Sequence, residues 1–181
     1  AGAAVGGIIA QGIIPAGLEM MDSHAIIAVE AFTGAGYPVE AAALLLCEVD
    51  GTKEEVQEHI EKAEALFRDF GATSIRTSKD DAERALLWKG RKNAFPAMGR
   101  ISPDYYCMDG TIPRAHLGQV LNEMQDMSKR FGLRVANVFH AGDGNLHPLI
   151  LFDANKEGEL ERAEAVFYKH LRAHETGRKH G

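Results

Sequence analysis

Two cysteines, Cys47 and Cys107, lie far apart in a chain of 181 residues, with no CxxC pair. That excludes a disulfide framework, and it fits a reducing, intracellular compartment better than a secreted one. Positive charge is not in excess either: 20 Lys and Arg stand against 26 Asp and Glu, a net charge of −6. A phosphate backbone needs a basic footprint, so no nucleic-acid partner is expected. No apolar run reaches the ~18 residues of a membrane span. The nearest approach, the opening AGAAVGGIIAQGII, is rich in Gly and Ala, meets Pro15, and lacks the basic leader of a signal peptide. What is present is an ordinary globular mix, 45% hydrophobic and 25% charged, enough to bury a core in one large domain or two small subdomains. Ala1 stands where a start Met would, so the sequence reads as part of something longer.

Helix-like and strand-like stretches alternate. The expected helices run from Ala1 to about Gly12, from a Ser23 cap to Phe32, and from Thr52 to Gly71. Others cover Asp80–Lys92, the stretch from Pro113 to Gly132, and about Lys156 toward Leu171. Thr52-Lys53-Glu54-Glu55 matches a capping box, in which hydroxyl and carboxylate satisfy each other's orphan amides. Expected strands are Gly17–Met21, Leu44–Val49, Thr73–Thr77, one within Gly99–Met108, Leu133–His140 and Leu146–Phe152. This mixture predicts an α+β fold, with helices on one face of a mainly antiparallel sheet. A strand–helix–strand order that occurs twice suggests two similar halves.

The chemistry concentrates in Val138-Phe139-His140-Ala141-Gly142-Asp143-Gly144-Asn145-Leu146-His147-Pro148. With Gly142–Asn145 as the hairpin loop, Ala141 faces Leu146 and His140 faces His147. Opposed imidazoles on one face of a hairpin can converge on one divalent cation. The competing reading is a histidine pair that only packs. Asp143 is a poor third ligand, because the loop points it away. A second concentration is Trp88-Lys89-Gly90-Arg91-Lys92, with Arg100 behind it. A guanidinium binds a carboxylate through two parallel hydrogen bonds, and Arg91 is the candidate, against a plain helix-end cation. Trp88 and Tyr105-Tyr106 read as packing residues, and Cys107, with no base partner, as an inert thiol. His24, His59, His116, His170, His174 and His180 read as surface or capping residues. The Glu54, Glu55, Glu58, Glu61 and Glu64 series reads as a solvated face.

Two stretches carry a resemblance. LWKGRKNAFPAMGRISPDYYCMDGTIP, followed by RVANVFHAGDGNLHPLILFDAN, resembles the FAD-linked oxidases that act on 2-hydroxy acids. That family includes FAD-dependent glycolate oxidase subunits and D-lactate dehydrogenases, and SPDYYCMDGTIP beside HxGDGNxH points to the glycolate oxidase branch. The resemblance implies a C-terminal cap, or substrate, domain spanning 1–181, with duplicated ferredoxin-like halves. FAD would be bound by an N-terminal domain absent from this sequence. It further implies that His140 and His147 hold a divalent metal and that Arg91 meets the substrate carboxylate. An iron–sulfur partner subunit would accept the electrons, and the location would be cytoplasmic, with peripheral attachment to the inner membrane through partner subunits.

One departure stands out. The family pattern continues into a glycine-rich run and Gly-Glu-His-Gly, whose Glu completes the metal site and whose His is the expected base. Here the chain reads AEAVFYKHLRAHETGRKHG, so the tail is truncated or divergent. His174-Glu175 has the reverse order and inherits neither role. The catalytic base is therefore unassigned, and the fragment by itself is expected to be inactive. The alternative class is a stand-alone α+β binding or assembly module in which the histidine pair is structural.

Overall fold

The computed structural model describes residues 1–166 and 168. Its centre is an antiparallel sheet of β1 (Gly17–Asp22), β2 (Ala43–Glu48), β3 (Asp104–Cys107), β4 (Gly110–Thr111), β5 (Arg134–His140) and β6 (Asn145–Phe152). The strand order is β2-β1-β5-β6-β3, and β4 also pairs with β6. Around it lie α1 (Gly2–Ala10), α2 (Ser23–Thr33), α3 (Lys53–Asp69), α4 (Asp81–Lys92), α5 (Ala94–Ala97) and α6 (Leu117–Phe131). The chain is helical again over 159–166, and the remainder of the helix expected to reach Leu171 lies outside the described residues.

The α+β class and the antiparallel sheet are as expected, but helices cover both faces rather than one. The reason is visible in the strands, which are apolar on both sides. Met21, Ala136, Val138, Leu149 and Leu151 pack under α2, α4 and α5. The alternate residues Leu18, Met20, Phe139 and Leu146 pack under α1, α3 and α6. Each of these side chains larger than alanine, fully buried, contributes ~1.5–3 kcal/mol of transfer free energy. A strand with apolar residues on both sides needs a layer on each. The passage from β4 through α6 to β5 leaves β6 between two parallel strands, the arrangement of a ferredoxin-like half. The passage from β1 through α2 to β2 differs, since it joins antiparallel neighbours.

Local chemistry explains most boundaries. Thr52 and Glu55 form the capping box on α3, with the Thr52 amide donating to Glu55 Oε2 at 2.8 Å and the Glu55 amide donating to Thr52 Oγ1 at 3.3 Å. α3 turns its glutamates to solvent, where Glu64 pairs with Arg68 at 2.8 Å. Asp22, not Ser23, caps α2, accepting from the Ala25 amide at 3.0 Å. It ends β1 in the extended geometry an N-cap needs. The same carboxylate accepts from the Asn137 amide at 2.9 Å and from Asn137 Nδ2 at 2.7 Å. Burial nevertheless pushes its carboxyl above the usual range. His24 is not merely a surface residue, because its Nδ1 lies 3.1 Å from the Val135 carbonyl and ties α2 to β5.

The segment Thr73–Thr77 forms no strand. Its side chains are claimed by helices instead: Thr77 Oγ1 donates to Glu64 at 2.6 Å and Arg76 Nε to Glu83 at 2.8 Å. Strand propensity yields a strand only where a sheet edge is at hand. The hairpin register also differs from expectation. His140 pairs with Asn145 and Val138 with His147, so the loop is Ala141–Gly144. A turn closes within it, the Asp143 amide donating to the His140 carbonyl at 3.1 Å, and Gly144 follows at φ +71°. The slip from the expected pairing is two residues, an even number, which keeps both histidines on one face.

Candidate metal and carboxylate site

On the α2/α4/α5 face of the sheet, alternation places Glu19 beside His140 across the β1–β5 pair and His147 diagonally beyond it. The imidazole centroids are 5.1 Å apart, with ring planes at 87°. Each ring is held at Nδ1 by a carboxylate: His140 by Glu19 Oε1 at 2.8 Å, and His147 by Asp109 in a short contact. Phe95, on α5, packs edge-on against His147 at 6.0 Å. An ionised carboxylate only accepts, so a neutral ring in either pair would donate from Nδ1 and carry its lone pair on Nε2. Two adjacent imidazoles have the donor type that a divalent cation takes, so by their chemistry these residues fit such an ion. The His140 side chain is 43% exposed, which leaves the site an open side.

Arg91 reaches the same carboxylate from α4. Its Nε donates to Glu19 Oε2 at 2.9 Å, and Nη2 lies 2.7 Å from that oxygen without an aligned hydrogen bond. Arg91 is 8% exposed, so it is not a solvated helix-end cation. Gly90 permits this seating: a Cβ there would lie 2.4 Å from Tyr37 Oη, which donates to the Leu87 carbonyl and anchors α4. Burial pushes the Tyr37 phenol up to about 12, so it remains a donor at neutral pH.

The structure gathers Arg91, His140 and His147, the three residues expected from the sequence, and adds Glu19 and Asp109, which were not expected. Glu19 had a legible signal, a carboxylate inside the apolar strand GLEMMD, since a buried charge demands a partner. Asp109 was hidden in turn-like Met108-Asp109-Gly110. Cys107, Asp109 and His147 bring ligand atoms within 4.8 Å of one another. The Cys107 thiol is pushed up, by desolvation first and by Asp109 second, which disfavours a thiolate nucleophile. Asp143 is exposed in the loop. His174-Glu175 lies outside the described residues.

The loop beneath the pair is backbone-held. The Ile112 amide donates to the Gly144 carbonyl at 2.9 Å, the Gly142 amide to the Leu18 carbonyl at 3.0 Å, and Arg114 Nη1 to the Gly142 carbonyl at 2.8 Å. A Cβ at Gly144 would lie 2.2 Å from the Ile112 carbonyl oxygen, at a positive φ. Gly144→Ala is therefore expected to destabilise the fold by about 2 kcal/mol or more in denaturant unfolding. An unchanged midpoint would show that the loop repacks freely.

An open antiparallel sheet with helical layers carries an imidazole pair, held by two carboxylates, beside a buried arginine. Residues 1–181 match the model for FAD linked oxidases, C-terminal domain, and the chain belongs to that family. It is 63% identical over 166 residues to the glycolate oxidase subunit GlcD of Escherichia coli, covering 92% of this chain and 33% of that protein. It is 35% identical to the Bacillus subtilis glycolate oxidase subunit GlcD, over 90% of this chain and 35% of the relative. A probable mitochondrial D-lactate dehydrogenase of Danio rerio is 28% identical over 87% of the chain and 32% of its own length. The chain thus spans about a third of the curated relatives it matches. Among solved structures, the 4-ethylphenol oxidase of Gulosibacter chungangensis superposes with a TM-score of 0.59 at 10% identity, covering 86% of this chain and 37% of that one. That likeness concerns the fold alone.

Proposed function

We propose that this chain is the substrate-side portion of a flavin-dependent 2-hydroxy acid dehydrogenase, with glycolate, oxidised to glyoxylate, as the substrate. The meeting of Arg91 and His140 on Glu19, with the His147 ring beside that of His140, carries the reading. A 2-hydroxy acid presents a carboxylate and a neighbouring hydroxyl, and this site offers one partner for each. Arg91 has five N–H bonds; Glu19 takes one in an aligned hydrogen bond, and buried Nη2, within ion-pair distance of the same oxygen, makes no hydrogen bond among the described residues. Such an under-satisfied guanidinium favours a second anion.

His140 and His147 hold their Nε2 lone pairs for a divalent cation. When bound, that cation supplies Lewis acidity to the substrate hydroxyl, and FAD, carried by a part of the protein outside these residues, supplies the hydride acceptor. The proton goes to a base that these residues do not assign. The relatives' names support the substrate class, two being glycolate oxidase subunits and one a probable D-lactate dehydrogenase. The word "subunit" supports a multi-subunit assembly, and we place an iron–sulfur partner there as electron acceptor. Among the described residues no helix is long and apolar enough to cross a membrane; we place the protein in the cytoplasm, with any membrane attachment through partner subunits.

Anaerobic mixing with glycolate tests this reading. The protein expressed from its full reading frame should bleach its flavin absorbance and form glyoxylate, while residues 1–181 alone should bind no FAD. A flavin that neither glycolate nor D-lactate bleaches, or a full-length protein without flavin, would return the chain to a stand-alone binding module.

A further inference from the structure

The two halves of the site share one side chain, and that sharing has a chemical consequence. Glu19 is only 12% exposed at its side chain, with Oε1 on His140 Nδ1 and Oε2 on Arg91. We infer that Glu19 is a positioning residue that sets the His140 tautomer, and that Arg91 dictates how it does so. The inference rests on the metal and hydroxy-acid reading above.

Arginine has no acceptor and does not lose its proton, so whatever faces it must accept. A carboxylate accepts on both sides. It can therefore satisfy Arg91 with one oxygen and still receive the Nδ1 proton of His140 with the other, which leaves Nε2 as a lone pair. An amide at the same place cannot do both. Facing Arg91 with its carbonyl oxygen, Glu19→Gln would present its NH₂ to His140. The ring would then have to accept at Nδ1 and carry its proton on Nε2, where a cation would bind. The isosteric change thus reverses the ligand without removing any heavy atom. Asp109 stands in a different position. Its side chain is 77% exposed, and among the described residues no arginine fixes which end of an amide would face His147. Asp109→Asn can turn its oxygen to the ring and keep the tautomer.

Two readouts on the full-reading-frame protein test this, with histidine labelled in ¹⁵N and the pH near 8, above the ordinary imidazole range. In the wild type, ring nitrogen shifts should place the His140 proton on Nδ1, and Zn²⁺ should bind in calorimetric titration. Glu19→Gln should move that proton to Nε2 and weaken Zn²⁺ binding about 10–100-fold, while Asp109→Asn should weaken it less. In the double variant Glu19→Gln with Arg91→Met, the amide is free to turn. The Nδ1 proton and most of the Zn²⁺ affinity should return, a rescue that a merely structural role would not give. A His140 proton already on Nε2 in the wild type would overturn the proposal. So would an unmoved tautomer or unchanged Zn²⁺ affinity in Glu19→Gln, and so would failure of the double variant to recover. A wild type with the Nδ1 proton in place but no Zn²⁺ affinity would overturn the metal reading and this proposal with it. Loss of the Glu19 effect alone, with wild-type Zn²⁺ binding intact, would leave the metal reading standing.

Discussion

His147→Ala, made in the protein expressed from its full reading frame, should lose its divalent metal and its turnover together while keeping its flavin. His147 lies on β6, opposite Val138 and diagonal to His140. Its side chain is only 16% exposed, wedged between the His140 ring and Phe95. On the proposed reading, removing the imidazole would leave the cation with one ring nitrogen from this hairpin. Lewis-acid assistance is worth several kcal/mol of barrier, so kcat should fall by about 10²-fold or more. Metal content by elemental analysis should drop to background, with flavin absorbance unchanged. The variant is expected to fold, because the backbone bonds of the loop do not depend on the ring. Full turnover in protein stripped of metal would remove the cation from the mechanism.

Arg91→Lys should mainly raise KM for glycolate. The ammonium is a point charge, and the Glu19 carboxylate, already within ion-pair distance of Arg91, would capture it. The substrate carboxylate would then lose a charged hydrogen bond, worth about 1.5–3 kcal/mol, which is roughly a 10–100-fold rise in KM. Because that loss affects ground and transition states alike, kcat should stay within a few-fold. Thermal unfolding separates binding from folding, since Glu19 keeps a cation beside it. An unaltered KM would assign Arg91 to holding α4 on the sheet and nothing more.

How much of this was legible in the sequence differs from residue to residue. The capping box on α3 was legible because its two bonds connect residues three apart. The hairpin was legible from Gly-Asp-Gly-Asn, yet its register was set by a turn in which Gly144 takes the positive φ. The histidine pair survived that error because a shift of two preserves the face. Helices on both faces were implicit in Leu18-Glu19-Met20-Met21, where apolar residues fall on both parities, with Glu19 the exception. That exception is the centre of the site. It was illegible as such because its two partners lie 72 and 121 residues away in the chain, and only the sheet and the seating of α4 bring them together. Asp109 was hidden for the same reason, 38 residues from the ring it holds.

Anomalous diffraction from crystals of the full-reading-frame protein soaked in Zn²⁺ tests the central claim most directly. One anomalous peak is expected on the open side of the imidazole pair, about 2.0–2.1 Å from Nε2 of His140 and of His147 alike. The Nδ1 atoms should remain on Glu19 and Asp109. A peak shared by Cys107 and Asp109 away from His140, or no peak beside the two rings, would contradict it.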